Sequence, residues 1–264
     1  MIHSRFDSAT QWIRAAAQAL PNPPDPTISS YQIKSSHRDI VSRFDQSIEA
    51  FLSARILAQY PEDGIVGEEL AHAQAGSWVW YVDPIDGTAN FLNQKKNYAI
   101  SIGCYHDGVP EFGLVLDVAA DRLFSAQRGK GAFRNGSRLV CANMRRISES
   151  FLSTPMIQPV FLEPHPRHPG MLRLARDVRA VRSLGSVALE LCALADGQAD
   201  LFVAAQSSPW DHNAARLILS EAGGALRTWS GGAVPPGRSC AIAGASSPAL
   251  LKQVMDGYFM PEEV

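Results

Sequence analysis

The sequence predicts a mixed α and β protein built in two successive halves. Three observations lead there. Apolar residues recur at helical spacing near the N-terminus, alternating segments punctuated by turns follow, and strand-like and helix-like segments then take turns toward the end. A chain of 264 residues, 46% hydrophobic and 19% charged, is long enough for one large domain or two closely fused halves. Its net charge of −2 gives no reason to expect nucleic acid or an acidic membrane as the main partner. Cys104, Cys141, Cys192 and Cys240 lie far apart with no paired spacing, and read as reduced, mostly buried thiols of a cytoplasmic protein. No long apolar run follows a basic start, so neither a signal peptide nor a membrane span is expected.

Phe6, Ala9, Ile13, Ala16, Ala17 and Leu20 share a helical face, and the proline-rich run from Pro21 to Pro26 ends that helix. Tyr31-Gln32-Ile33-Lys34 reads as a short strand, with Lys34 taken alone as a solvated lysine. A second helix is expected from about Ile40 to Tyr60, with Asp39 as its N-cap and Asp45 complementing the dipole of its early turns. Gly64-Ile65-Val66-Gly67 is a short apolar strand leading into Glu68 and Glu69. Neighbouring strand side chains point to opposite faces, so at most one of these acids faces a given site.

The central stretch is Trp78-Val79-Trp80-Tyr81-Val82-Asp83-Pro84-Ile85-Asp86-Gly87-Thr88-Ala89-Asn90-Phe91. Its bulky start predicts a buried strand, which Asp83-Pro84 should end. Pro84 fixes its own φ and restrains Asp83, so Asp83 and Asp86 are held in one tight turn. Hard divalent cations need converging oxygens, Gly87 lets backbone N–H groups approach an anion, and the Thr88 hydroxyl can hold a water. This is a layout for a metal and a phosphate, although Asp, Pro and Gly are also the commonest residues of ordinary turns.

Tyr98–Tyr105, Glu111–Asp117 and Arg122–Ala126 predict an antiparallel meander, and Gly129 to Gly136 a hairpin. The proline-rich stretch Thr154–Gly170 reads as the joint between the halves. His165 and His168 within it have no acid or cysteine partners at ligand spacing. Beyond it come a helix (Met171–Arg176), a strand (Ala180–Ser183), a helix (Val187–Leu194), a strand (Ala199–Ala204) and a helix (Asn213–Glu221), an α/β layer. Asp211 sits where an N-cap is expected, His212 reads as structural or solvent-facing, and Gly223-Gly224 close the last helix.

Taken together, Gly67-Glu68-Glu69, Asp83-Pro84-Ile85-Asp86-Gly87-Thr88, and Trp210-Asp211 before a helix ending Glu221-Ala222-Gly223-Gly224 resemble the inositol monophosphatase family of lithium-sensitive, magnesium-dependent phosphomonoesterases. Asp39-Ile40-Val41-Ser42-Arg43-Phe44-Asp45 is similar to that family's D-x-V-T-x-x-D segment, with Ser42 for threonine. The resemblance spans roughly Lys34 to Thr228. It implies a layered αβαβα sandwich of the inositol monophosphatase and fructose-1,6-bisphosphatase type. Residues 1–150 would form an N-terminal α+β half carrying most metal ligands, and 151–264 a C-terminal α/β half carrying Asp211, in one compact catalytic unit. It implies two or three Mg²⁺ per site. Glu68, Asp83 and the Ile85 carbonyl would hold one; Asp83, Asp86 and Asp211 a second; and a loosely held third would sit near Glu68, with Asp45 acting through water. Gly87 and Thr88 would bind phosphate, with Lys34, Asp211, Gly185 and Ser186 near the substrate, and Thr88 with Glu68 would orient the attacking water. A cytoplasmic homodimer acting on a small phosphorylated metabolite completes the expectation.

Two positions depart from the family pattern. Asn213 replaces a small alanine after Asp211. Ala204 stands near the position where animal inositol phosphatases carry an acid that contacts the inositol hydroxyls, which weakens the case for inositol itself. The expected reaction is hydrolysis of inositol 1-phosphate or a related polyol or sugar phosphate. Histidinol phosphate, fructose 1,6-bisphosphate and 3′-phosphoadenosine 5′-phosphate are alternative substrates, and a non-catalytic binding module is the reading from another class.

Overall fold

The computed structural model describes residues 2–21, 31–33, 40–70, 76–142, 146–162 and 168–259. Helix α1 (Ile2–Gln18) is followed by an antiparallel ribbon of β1 (Tyr31–Ile33) and β2 (Ile40–Ser42), and by α2 (Arg43–Gln59). A seven-stranded sheet then runs in chain order through β3 (Gly64–Gly67), β4 (Trp78–Asp86), β5 (Ala99–His106), β6 (Val109–Asp117), β7 (Arg122–Gln127), β8 (Gly131–Arg134) and β9 (Ser137–Leu139). The short helix α3 (Thr88–Asn93) links β4 to β5. β3 pairs parallel with β4, and the other neighbours pair antiparallel.

The second sheet comprises β10 (Phe151–Ser153), β11 (Ala180–Arg182), β12 (Leu201–Ser207), β13 (Ala225–Thr228) and β14 (Cys240–Ala245), in the order β11-β10-β12-β14-β13. Helices α4 (His168–Asp177), α5 (Val187–Ala195), α6 (Pro209–Glu221) and α7 (Pro248–Val254) are interleaved with it. β10, β11 and β12 are parallel, as the alternation of strand and helix predicts, whereas β14 runs antiparallel to β12 and β13.

Three apolar clusters show how the layers stack. Ala9, Ile13 and Ala16 of α1 and Ile48, Leu52 and Ile56 of α2 pack on Trp80, Val82, Ile100, Ile102 and Leu114 of the first sheet. The opposite face, with Val115, Phe124 and Ala126, meets α5 and α6, which in turn meet Phe202, Ala204 and Ile242 of the second sheet. Leu152, Leu201, Val203 and Ala243 on the far side are covered by Leu174 of α4 and by Leu250 and Val254 of α7. The order is α, β, α, β, α, the expected sandwich. The middle helices lie close because β5 and β6 pair Gly103 with Gly113 under α6. A Cβ at Gly113 would fall 2.3 Å from the Ala214 carbonyl oxygen.

Several boundaries differ from the sequence reading. Ile40-Val41-Ser42 is a strand, in keeping with its two β-branched residues, so α2 begins at Arg43 with Ser42 as its N-cap. Asp39, read as that cap, lies outside the described residues. Proline does not end β4 at Asp83. The strand continues to Asp86 across an irregularity between Asp83 and Asp86, where Pro84 is tolerated. The chain leaves the first sheet at Leu139 and enters the second at Phe151, so the joint precedes the proline-rich stretch. That stretch instead forms a π-helical turn, Gln158–Leu162, burying Val160 and Phe161 on the outer layer; His165 lies outside the described residues. Among the described residues no helix is long and apolar enough to cross a membrane.

The N-terminal helix is locked by one buried ion pair. Arg5 Nε and Nη2 each donate to Asp63 at 2.9 Å, and Trp80 Nε1 donates to the same carboxylate at 2.8 Å. The guanidinium also lies over the rings of Tyr60 (4.1 Å) and Trp78 (4.3 Å). Removing one partner of a buried pair leaves the other charge uncompensated, so Asp63→Ala is expected to lower stability by about 3–5 kcal/mol. Urea unfolding should show it as a lower midpoint at unchanged slope.

Candidate active site

Asp83 and Asp86 end β4, both buried, and five carboxylates from both halves of the chain act on one another around them. The Asp83 carboxyl is held well above the usual range, first by burial and then by the negative charges of Glu68, Asp86, Asp211 and Asp45. The structure thus brings together the acids singled out in four separate stretches. Lys34 lies outside the described residues.

Each acid is oriented by donors. Asp83 Oδ1 accepts the Ile85 N–H at 3.0 Å. Asp86 faces the N-terminus of α5, where Oδ2 accepts from Ser186 Oγ and the Ala188 N–H, both at 2.6 Å, and Oδ1 from the Val187 N–H at 3.2 Å. Burial nevertheless pushes the Asp86 carboxyl up to about 6 against those bonds. Asp211 is not the N-cap of α6. Ser208 is, and Asp211 stands in the first turn, its Oδ2 accepting the Ser208 N–H at 2.7 Å. Burial and then the charge of Asp86 hold it well above its ordinary value. Glu68 follows β3, half-buried, and raises both Asp83 and Asp211.

Asp45 does more than complement a dipole. It is fully buried in the first turn of α2, with Oδ2 accepting from Ser42 N (2.9 Å) and Ser42 Oγ (2.6 Å). Its Oδ1 accepts from Thr88 Oγ1 at 2.8 Å, and the Ile85 carbonyl competes for the same proton at 3.0 Å. Thr88 opens α3, and Gly87 before it takes φ +93°, a left-handed conformation suited to glycine. The first N–H groups of a helix lack partners inside it and point at whatever anion lies beyond. Asn90 of α3 donates from Nδ2 to the carbonyls of Leu184 (2.6 Å) and Asn97 (2.8 Å), stitching this turn to the loop that carries Gly185 and Ser186.

The donor set is made of hard oxygens, which fits a small divalent cation. A carboxylate offers about four acceptor positions. The hydrogen bonds above leave capacity on Asp83 Oδ2, Asp86 Oδ1 and Asp211 Oδ1. Among the described residues, no three acidic, histidine or cysteine side chains already converge as a finished metal cage. The acids are gathered and mutually repelled, a state that a cation relieves.

Sequence reasoning missed Glu190 here, whereas His212 proves structural, as one of its two readings has it, and Asn213 is a noted departure from the family pattern. Glu190, fully buried on α5, accepts the N–H groups of Leu184 (2.7 Å) and Gly185 (3.1 Å) and the Ser153 hydroxyl (2.8 Å), so it shapes the loop facing Asp86. A lone acid within Val187–Ala195, otherwise apolar, was its signal. His212 is buried, with Nδ1 paired to Ser207 Oγ at 2.9 Å, and burial pushes it down to about 3, so it is a neutral structural residue. Asn213 is likewise buried: Oδ1 accepts the Tyr105 hydroxyl at 3.0 Å and Nδ2 donates to the Pro236 carbonyl at 2.8 Å. Its amide ties α6 to β5 and to the loop before β14, which an alanine could not do.

Burial raises Glu190 from 4.5 to about 7. The folded state therefore binds a proton that the unfolded chain releases, and the stability linked to it is full at low pH and lost as pH rises to about 7. The change is on the order of 3 kcal/mol. Unfolding of the cation-free chain should show stability falling across that window, and Glu190→Gln should flatten the fall.

This geometry coincides with a family assignment. The family model described as "Inositol monophosphatase family" matches residues 4–256. The inositol-1-monophosphatase of Bacillus subtilis (strain 168) is 35% identical over 229 residues, covering 84% of each chain. Inositol monophosphatase 1 of Homo sapiens is 33% identical over 214 residues, 76% of this chain and 75% of its own. The crystal structure of inositol monophosphatase II from Staphylococcus aureus MSSA476 superposes with a TM-score of 0.87 at 29% identity, covering 98% of this chain and 94% of that one. The chain belongs to the inositol monophosphatase family and is a phosphoric monoester hydrolase.

Proposed function

We propose that the protein hydrolyses a small polyol or sugar phosphate, inositol 1-phosphate among them, in a Mg²⁺-dependent reaction at the Asp83–Asp86 turn. The observation that carries this reading is the buried cluster in which Glu68, Asp86, Asp211 and Asp45 all act on Asp83. Glu68, Asp83, the Ile85 carbonyl, Asp86 and Asp211 would hold the cations. Bound there, divalent cations would neutralise the phosphate dianion, acidify a water and stabilise the departing alkoxide.

The chain's own residues supply the rest. The Gly87–Thr88 turn presents N–H groups to phosphate oxygens. Thr88 donates its hydroxyl proton to Asp45 at 2.8 Å, which leaves an oxygen lone pair to accept a hydrogen bond from the attacking water. Glu68 would accept the same water's second proton, and the two together would orient it in line with the leaving oxygen. Asp211, on the opposite half, faces the alcohol side of the ester, with Gly185 and Ser186 beside Asp86.

One observation favours a second reading of the substrate. Ala204 is buried among apolar neighbours on β12 and offers an alcohol no hydrogen bond. The same chemistry on a different alcohol is therefore the alternative, within the range histidinol phosphate, fructose 1,6-bisphosphate or 3′-phosphoadenosine 5′-phosphate. The staphylococcal relative has been crystallised with inositol monophosphate and with 2′AMP. A cytoplasmic homodimer inhibited by lithium belongs to the same reading, supported by the family alone.

Phosphate release from inositol, sugar, histidinol and nucleotide phosphates, with Mg²⁺ and with EDTA, tests the proposal. Activity should vanish in EDTA and return with Mg²⁺. Asp83→Asn should lower kcat/KM by about 100-fold or more, the scale of losing one electrostatic stabiliser of the transition state. Thr88→Ala should lower kcat while leaving KM nearly unchanged, because its bond to water matters only in the chemical step. EDTA-resistant turnover, or an Asp83→Asn variant as active as wild type, would refute the mechanism.

A further inference from the structure

Glu49 is a fully buried carboxylate on α2, one helical turn beyond Asp45 and on the same face. It reaches the segment that carries Glu68. Glu49 Oε2 accepts the Glu69 N–H at 2.7 Å and Oε1 the Leu70 N–H at 2.8 Å, two short bonds to consecutive backbone groups. On the other side of Glu68, a Cβ at Gly67 would lie 2.1 Å from Glu49 Oε1 and 2.5 Å from Cδ, so the carboxylate occupies the space that only a glycine leaves. Glu68 is thus flanked by a glycine pressed against Glu49 and by two N–H groups held by it.

We propose that Glu49 is a positioning residue: its carboxylate clamps the Gly67–Leu70 backbone so that Glu68 is held toward Asp83 and Asp211, and it thereby sets the cation affinity of the site. The inference rests on the cation-dependent reading above and extends it to a residue that binds no cation itself. Among the described residues, β3 is a four-residue strand at the edge of its sheet, paired with β4. A glutamine in place of Glu49 keeps the shape but turns one acceptor into a donor, which meets an N–H head-on.

Titration calorimetry of Mg²⁺ into the full chain, without substrate, tests this with wild type, Glu49→Gln, Glu68→Gln and the double variant, alongside thermal unfolding. Glu49→Gln is expected to weaken cation binding by about 10- to 100-fold, the range for residues that orient a ligand from behind. In the Glu68→Gln background the same change should have no further effect, because the clamp acts through Glu68. Equal weakening in both backgrounds, or a lower unfolding temperature with cation affinity unchanged, would overturn the proposal. Gly67→Ala displaces the same carboxylate from the opposite side and should reproduce the loss; a folded Gly67→Ala chain with wild-type affinity would also overturn it. Absence of cation binding in wild type is a different result, which refutes the reading of the site itself.

Discussion

The structure depends on keeping several like charges together where water is scarce. Asp45, Asp83 and Asp86 are buried, Asp211 and Glu68 complete the cluster, and burial followed by those charges raises Asp83 well above the carboxylate range. Helix N-termini offset part of that repulsion. Asp45 stands in the first turn of α2, Asp211 in the first turn of α6, and Asp86 accepts the first N–H groups of α5. Oriented amides stabilise negative charge at short range without themselves titrating. Asp83 accepts one N–H, from Ile85, and is raised first by burial and then by the charges of Glu68, Asp86, Asp211 and Asp45, a repulsion that a cation relieves.

This requirement explains why the candidate active site lies where the two sheets share a helical layer. α5 and α6 pack between the sheets, so their N-terminal turns can face β4 while their apolar sides fill the interior. Close approach of α6 follows from the paired glycines Gly103 and Gly113. Asn213 then fixes its rotation through Tyr105 and Pro236, and Asn90 and Glu190 fix the loop before α5 from opposite directions. Buried carboxylates recur in a second role here: Glu49 and Glu190 each grip two backbone N–H groups of a loop that presents a site residue.

The Asp83–Thr88 turn and the strand position of Ala204 are built differently. Acids, a threonine and a helix start crowd the Asp83–Thr88 turn, whereas Ala204 belongs to the apolar layer with Phe202 and Ile242. Chemistry common to phosphate monoesters needs the first set only. Discrimination among alcohols needs paired polar groups, and Ala204 supplies none at its strand position.

Much was legible from the order of residues. Apolar periodicity and turn residues located α1, the meander β5–β8, and the alternation from α4 to α6, because burial on one face imposes a period on any amphipathic element. Asp83 and Asp86 stood out because their turn pairs carboxylates with proline, glycine and a hydroxyl, whereas Glu68 and Asp211 were drawn in by that turn and by the family resemblance. Local sequence misjudged the start of α2, the end of β4 and the cap of α6, since these depend on which hydrogen bonds a strand partner or a capping serine wins. The antiparallel return through β13 and β14 was not visible in short segments. What only the tertiary structure decided is the set of contacts across long stretches of chain: Asp45 with Thr88, Asp86 with the start of α5, Asn213 with Tyr105, and Glu49 with the Glu68 loop. A residue's spacing from its neighbours carries no information about a partner brought to it by folding, so residue types alone named the chemistry, and the packing of five layers chose which oxygens and amides meet.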